Sequence, residues 1–347
     1  MADQKFQPAC RSMEWLDPFY RQVWEKAYAE AIPISGTFEL TPRCNFNCRM
    51  CYVHLPVSDI DKHGRELTAS EWIRIAAEAK AAGTVWLCIT GGEPLMHPEF
   101  ETIWRELTQM GFFITLQTNA AQLTDYESLL AEYPPRRCKI TLYGASDEVY
   151  EKVCQTDKGF TRVDAGIQML RQMKIPVELV STVIRQNLDD VDHIIQYADS
   201  NHFRWTPNIN VRTAGRGVDV DMDNLRIHPL GADGGGSHRR ETKEKAVMDP
   251  DRKPCTYCRD YRVGYWVVWS GYMRFCSFMN GPDISVRDGS FRECWRKLVE
   301  FQENMQWPEE CRECGLKEAC ARCAALYDIE DGALKIRKEF CRKGGRR

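Results

Sequence analysis

Apolar and polar positions follow two regimes along this chain. Between Gly36 and residue 211, short apolar runs alternate with stretches whose apolar residues recur at helical spacing. The runs near 36–41, 84–90, 112–118, 138–142, 176–184 and 203–211 read as strands. Thr68 and Glu71 make a capping box ahead of Trp72–Ala82, and Gly83 stands where a C-cap belongs. Phe100, Ile103, Trp104 and Leu107 stripe the next helix, which Gly111 ends. Asn187 is placed to cap a helix carrying Leu188, Val191, Ile194 and Ile195. Six strands alternating with helices predict an α/β fold with a parallel sheet, open or curved toward a barrel. Right-handed crossovers leave few other topologies.

The flanking regions differ. In residues 1–34, Trp15, Phe19, Val23, Trp24 and Ala27 predict one amphipathic helix packed on the main domain. Residues 216–254 carry Gly231–Gly236 and the charged stretch His238–Lys245, which read as a flexible linker. A phosphate loop is not expected there, because no strand feeds it and no Gly-Lys-Thr follows. From Cys255 onward cysteine becomes dense and strand patterning sparse. Val263–Trp269, Ser270-Gly271 and Tyr272–Cys276 predict a hairpin. The division expected is an N-terminal helical extension over 1–34, an α/β domain over 35–215, a linker over 216–254 and a cysteine-rich domain over 255–347. The last is expected to be held by something other than a large apolar core.

Composition narrows the class. The chain has 347 residues, 43% apolar and 28% charged, which excludes a mostly disordered or collagen-like chain. No run approaches the roughly 18 apolar residues of a membrane helix, and the charged first 30 residues do not read as a secretory signal. A net charge of −3 gives no pull toward nucleic acid or acidic membranes, and a cytoplasmic protein is expected. The 16 cysteines of such a protein favour metal binding or catalysis over disulfides.

Cys44, Cys48 and Cys51 stand in CNFNCRMCY, directly after the first strand. Three thiolates on one loop can ligate three corners of a four-iron four-sulfur cluster and leave one iron open to a ligand. A zinc knuckle would need a fourth ligand, for which only His54 is near. CxxxCxxC in this place, with Gly91-Gly92-Glu93-Pro94 after the second strand, resembles the signature of the radical S-adenosylmethionine enzymes. The resemblance spans residues 36–211 and implies a partial (β/α)6 barrel of parallel strands. It implies that the open iron is chelated by S-adenosylmethionine, which an electron cleaves to methionine and a 5′-deoxyadenosyl radical. By the same resemblance Gly91, Gly92 and Glu93 meet the methionine end of the cofactor, with Glu93 accepting from its amine. Strand ends are where barrel sites gather, which adds Asn119, Thr141 and Asn187 as cofactor contacts. Arg162 is the candidate clamp for the methionine carboxylate, since guanidinium pairs bidentately with carboxylates.

The C-terminal pattern is Cys255-x2-Cys258, Gly271-x4-Cys276, Cys311-x2-Cys314-x5-Cys320-x2-Cys323 and Cys341. It resembles the SPASM domain of many radical enzymes, although the Cys320–Cys323 interval is two residues where the common form has three. The resemblance implies two auxiliary 4Fe-4S clusters, hence three in all. One would take Cys255, Cys258, Cys276 and Cys323, the other Cys311, Cys314, Cys320 and Cys341. A pair of zinc ribbons is the alternative, disfavoured by the short gap between Cys314 and Cys320. Five cysteines remain: Cys88 and Cys138 read as core residues, while Cys10, Cys154 and Cys294 are candidate hydrogen-atom donors.

SPASM relatives act mostly on peptides, so a peptide or protein substrate and an oxidative outcome such as a cross-link are expected. An external electron donor such as flavodoxin or ferredoxin is implied. Alternatives are a peptide epimerase, a formylglycine-type maturase and a radical dehydrogenase acting on a sugar or cofactor precursor. The maturase is weakened because Ser277 follows Cys276 where those enzymes place an aspartate. A non-catalytic electron carrier is the rival from another class, and it has no need of an open iron. Only 34 residues precede the first strand, so a separate leader-binding protein, or the barrel mouth with Arg239, Arg240, Lys243 and Lys245 of the linker, is expected to present the peptide.

Overall fold

In the computed structural model, the residues described are 18–53, 55–209, 211, 224–227, 253–315, 323–330, 333–336 and 341. Cys10, Trp15, His54, Cys320, the linker cations Arg239, Arg240, Lys243 and Lys245, and most of the 216–254 segment lie outside them.

The six expected strands form. They are β1 (Ser35–Glu39), β2 (Trp86–Thr90), β3 (Phe113–Thr118), β4 (Arg137–Thr141), β5 (Val177–Thr182) and β6 (Arg204–Asn208). Each pairs in parallel with the next, so the sheet runs β6-β5-β4-β3-β2-β1. Helices α3 (Ala69–Ala81), α4 (Phe100–Gln109), α5 (Glu127–Glu132), α6 (Asp147–Cys154), α7 (Gly159–Gln172) and α8 (Val191–Ser200) supply the crossovers, following α1 (Pro18–Glu30) and the short α2 (Ile60–His63). The outcome is a partial parallel barrel with a helical outer layer.

Alternation along the strands separates two faces. Phe38, Leu87, Ile89, Ile114, Leu116, Cys138, Ile140 and Leu179 are buried in the core with Trp72, Ile103, Trp104, Leu129 and Leu170 of the helices. Their neighbours Thr37, Cys88, Thr115, Gln117, Lys139, Thr141, Glu178, Val180 and Thr206 are less buried and point into the barrel. Cys88 therefore does not share the core environment of Cys138, although both occupy strands.

At α3 the structure carries the expected caps. The Thr68 hydroxyl accepts from Glu71 N, the Glu71 carboxylate accepts from Thr68 N, and Gly83 has φ +113°. Gly111 likewise has φ +77° after α4. At α8 the expectation fails. Asn187 lies inside a 3-10 segment, Arg185–Asp190, and its side chain bonds Ile184 N, Tyr143 O and Thr182 O rather than the helix start. Leu188 is exposed on that 3-10 segment, and in α8 Ile194 is buried but Ile195 exposed, because only one narrow face of the helix meets the sheet. In α1, Trp24 and Ala27 are buried while Phe19 is exposed.

The expected hairpin is β7 (Gly264–Val268) and β8 (Tyr272–Arg274), followed by β9 (Ile284–Ser285). β7 pairs in parallel with β1, so the barrel sheet continues into the cysteine-rich segment and becomes nine-stranded. Helix α9 (Phe291–Asn304) packs on α3, and Phe291, Trp295 and Leu298 join the same core as the barrel. The C-terminal segment thus has a substantial apolar core, contrary to expectation, and shares it with the barrel. The hidden signal was the apolar face of α9, where Phe291, Cys294, Trp295 and Leu298 recur at helical spacing. Helix α10 (Glu309–Arg312) and the hairpin β10 (Tyr327–Glu330)–β11 (Ala333–Ile336) complete the elements.

Candidate active site

The loop after β1 is pinned from two sides. Gly92 N donates to Thr41 O at 2.7 Å and Glu93 N to Arg43 O at 2.8 Å. A Cβ on Gly92 would stand 2.5 Å from Arg43 O and 2.7 Å from Pro42 O, and one on Gly91 2.8 Å from Thr41 O. Both positions therefore need glycine for the two chains to approach. The Gly92 and Glu93 amides thus serve the cysteine loop. On the other side, Asn47 N donates to Cys154 O and Arg49 N to Val153 O, both at 3.0 Å, from the end of α6. The Arg49 guanidinium donates to Lys152 O at 2.7 Å and Gln155 Nε2 to Asn47 O at 2.7 Å. Arg43, next to Cys44, pairs with Glu66 at 2.7 Å.

Cys44, Cys48 and Cys51 face one another closely enough for their charges to interact. Burial, then Cys48 and Glu93, push the Cys44 thiol well above its ordinary range. A hydrogen bond with Cys154, then burial, does the same to Cys48. Thiols so disposed give up protons only to a cation, which suits a positively charged iron–sulfur core. Among the described residues no three Cys, His, Asp or Glu side chains converge as a single metal ion requires. A cubane spreads its thiolates over several irons, so its ligands stand wider than those around one zinc.

Glu93 is fully buried. Its Oε1 accepts from Thr118 Oγ1 at 2.7 Å and from Leu95 N at 3.3 Å, and its Oε2 from Asn119 N at 2.8 Å. Desolvation nevertheless raises its carboxyl to about 7. Asn119 Nδ2 donates to Asn45 Oδ1 at 2.7 Å and stands 3.8 Å from Cys44 Sγ. Cys44, Glu93 and Asn119 are thus brought together at the C-terminal ends of β1, β2 and β3. Arg162 lies in the first turn of α7, donates to Thr156 Oγ1 at 2.7 Å and stacks over Phe46 of the cysteine loop, 5.5 Å from the ring centroid. Thr141 stands at the end of β4 on the inner face. Asn187 is buried one strand further on and ties its own loop to Tyr143 O.

Sequence reasoning overlooked Asn45, Phe46, Tyr143 and Tyr150. The Phe46 ring meets Tyr150 edge-on at 5.9 Å, and Tyr150 meets Tyr143 at 6.3 Å. Burial, then the charges of Cys48 and Cys154, raise the Tyr143 hydroxyl well above its ordinary range. The Phe46 position inside CNFNC was the only available signal. His97 is no ligand: its ring is bonded to Leu67 O and Glu99 N.

In the second group, the charges of Cys276 and Cys323 both raise Cys255 and Cys258, after burial as the main cause. These four thiols are gathered in one place. Cys311 Sγ is 3.6 Å from the Tyr327 hydroxyl. Cys320 lies outside the described residues. The two groups adjoin: Tyr52, beside Cys51, and Phe278, two residues past Cys276, have ring centroids 4.9 Å apart.

A parallel partial barrel carrying three thiols on the loop after its first strand, with a buried carboxylate and an amide beside them, defines a class. The Radical SAM superfamily matches residues 38–198. The AdoMet-dependent heme synthase of Methanosarcina barkeri is 30% identical over 334 residues, 88% of this chain and 95% of that protein. The chain belongs to the radical SAM superfamily. The PqqA peptide cyclase of Ruegeria pomeroyi is also 30% identical, over 87% of this chain and 85% of that relative. Streptococcus suis SuiB, solved with its precursor peptide SuiA, shares the fold with a TM-score of 0.63 at 14% identity, over 90% of this chain and 78% of that one. Membership brings S-adenosylmethionine and the radical SAM iron–sulfur cluster as cofactors. No described helix is long and apolar enough to cross a membrane.

Proposed function

We propose that this chain is a peptide-modifying radical enzyme that forms a cross-link or a comparable oxidative change in a ribosomal peptide. The observation that supports it most is the meeting of the three-thiol loop with Glu93 and Asn119 above a polar barrel interior. Cys44, Cys48 and Cys51 would hold the cluster, which with bound S-adenosylmethionine supplies a 5′-deoxyadenosyl radical. In this reading Glu93 accepts from the methionine amine, Asn119, Thr141 and Asn187 line the strand ends, and Arg162 holds Phe46 and the carboxylate side. Gly91 and Gly92 set the spacing between cofactor and loop. Cys255, Cys258, Cys276 and Cys323 would hold one auxiliary cluster, and Cys311, Cys314, Cys320 and Cys341 a second, in a domain spanning 255–347. An external flavodoxin or ferredoxin would supply electrons. A separate protein, or the 216–254 linker, would present the leader.

The test is reduction of the anaerobically reconstituted enzyme with S-adenosylmethionine and the peptide of a neighbouring short reading frame. The expected result is 5′-deoxyadenosine together with a peptide that has lost two hydrogens. The Glu93→Ala change should weaken cofactor binding by about 1–3 kcal/mol, the scale of a lost charge-assisted hydrogen bond. The heme synthase relative supports a second reading, a small-molecule cofactor precursor as substrate. Turnover of a porphyrin with no peptide product would establish that one instead.

A further inference from the structure

The inner face of the barrel carries a row of polar side chains at one level. Gln117 of β3 pairs in register with Lys139 of β4, and Lys139 with Glu178 of β5. Arg204 of β6 continues the row beyond Glu178. Lys139 sits between Cys138 and Ile140, both fully buried in the outer core, so its own side chain is directed inward. It is only half-buried there. Its positive charge reaches Cys88 of β2, two strands away across the interior, where with Arg137 it opposes the desolvation that raises that thiol to about 11.

The carboxylate opposite Lys139 is already engaged. Glu178 pairs with Arg137 at 3.3 Å, one row lower, and Arg137 is braced by Thr115 Oγ1 at 3.2 Å. Glu39 of β1, a second carboxylate on the inner face, accepts from Trp266 Nε1 at 3.2 Å. The Lys139 side chain makes no hydrogen bond or ion pair with any described residue. Arg137, Lys139 and Arg204 thus surround one carboxylate, already paired with Arg137, and a bound anion would balance the half-buried ammonium. Height along the strands places it. Gln117 is two residues below Asn119, about 7 Å along β3, and Lys139 is likewise two residues below Thr141. Lys139 therefore projects inward from the row just beneath the candidate site.

The geometry points to Lys139 as a specificity-determining anchor that binds a carboxylate of the substrate inside the barrel, selecting for an acidic side chain or a chain-terminal carboxylate at the position presented to the cofactor. This deepens the peptide-modifying reading and rests on it. The test uses the reconstituted holoenzyme with S-adenosylmethionine bound. Glutarate serves as the carboxylate probe and glutaramide as its neutral counterpart, both titrated by calorimetry. Wild-type protein should bind glutarate saturably and glutaramide far more weakly. Lys139→Met should weaken glutarate binding about tenfold or more, and Lys139→Arg should restore part of it. Cofactor affinity and substrate-free formation of 5′-deoxyadenosine should be unchanged in both variants, since Lys139 lies below the cofactor contacts. Equal binding of the two probes by wild type, or equal glutarate binding by wild type and Lys139→Met, would overturn the anchor and leave the radical activity standing. Absence of 5′-deoxyadenosine from the wild type would instead remove the parent reading, whatever the probes do.

Discussion

The loop bearing Cys44, Cys48 and Cys51 is tied by backbone hydrogen bonds to the Gly91–Glu93 segment on one side and to the end of α6 on the other. The thiols of Cys255, Cys258, Cys276 and Cys323 are arranged differently. They sit at three tight turns, of which Cys255 and Cys258 share one: Cys258 N bonds Cys255 O, Met279 N bonds Cys276 O, and Leu326 N bonds Cys323 O. Among the described residues the flanking segments are tied by side-chain bonds, Ile329 N to Asn280 Oδ1, Lys253 Nζ to Glu303 O and Arg262 N to Gln302 Oε1, and Trp307 packs against Tyr327 at 5.4 Å. The first site is therefore preorganised by the barrel. In the proposed assignment the second would depend on its auxiliary cluster for much of its order, as small metal-bound folds do. The shared core through Phe291, Trp295 and Leu298 confines this dependence to the cysteine-bearing turns.

That contrast can be broken most directly by removing ligands. Changing Cys44, Cys48 and Cys51 together to Ala should abolish 5′-deoxyadenosine formation and lower iron content by about a third, with little change in melting temperature. A large fall in melting temperature would show that the first site is not preorganised. The matching change of Cys255, Cys258, Cys276 and Cys323 to Ala should raise hydrogen exchange across 255–261, 276–282 and 323–330 by several orders of magnitude, while β2, β3, β4 and β7 stay protected. Uniform exchange across the chain would mean that the two regions unfold as one.

A smaller effect sharpens the backbone side of the argument. Gly92→Ala forces a methyl against Arg43 O and Pro42 O, both under 3 Å away. It should cost about 1–3 kcal/mol in denaturant unfolding and reduce iron retained at the first site. Thr68→Ala, which removes one half of the α3 capping box, should cost about 1 kcal/mol with no change in iron content. The smallest effect concerns acid. Arg65 and the Thr68 amide hold Glu71 down to about 2 from an ordinary 4.5. The stability this confers is fully present above about 4.5 and fades as pH falls toward 2. Because its partner Arg65 is exposed and the pair is screened by solvent, Glu71→Gln should flatten the acid limb of a pH–stability curve by only a few tenths of a kcal/mol.

Much of the barrel was legible because its signals are local. The α3 cap, Gly83, Gly111 and the stripe of α4 each depend on neighbours within four residues. The cysteine spacing with Gly91-Gly92-Glu93-Pro94 was legible for a related reason, since both segments follow strands and emerge at the same end of a parallel sheet. Asn187 misled because an amide before an apolar run reads as a cap, whereas its bonds go to Tyr143, Thr182 and Ile184. Cys88 misled because alternation says that a strand has two faces without saying which one is lined by the outer helices.

The order of apolar runs, the turn glycines, the thiol spacing and the count of 16 cysteines were determined by the chain alone, since each is a property of residues close in sequence. Tertiary structure decided the rest. It set β7 beside β1, brought Tyr52 to Phe278, turned the Glu178 carboxylate toward Arg137 and left Lys139 facing the barrel interior. These juxtapositions join residues up to more than 200 positions apart, and they arise from closing the sheet and burying a common core. No local pattern carries that information, because pairing partners are chosen by the energy of the whole packed structure.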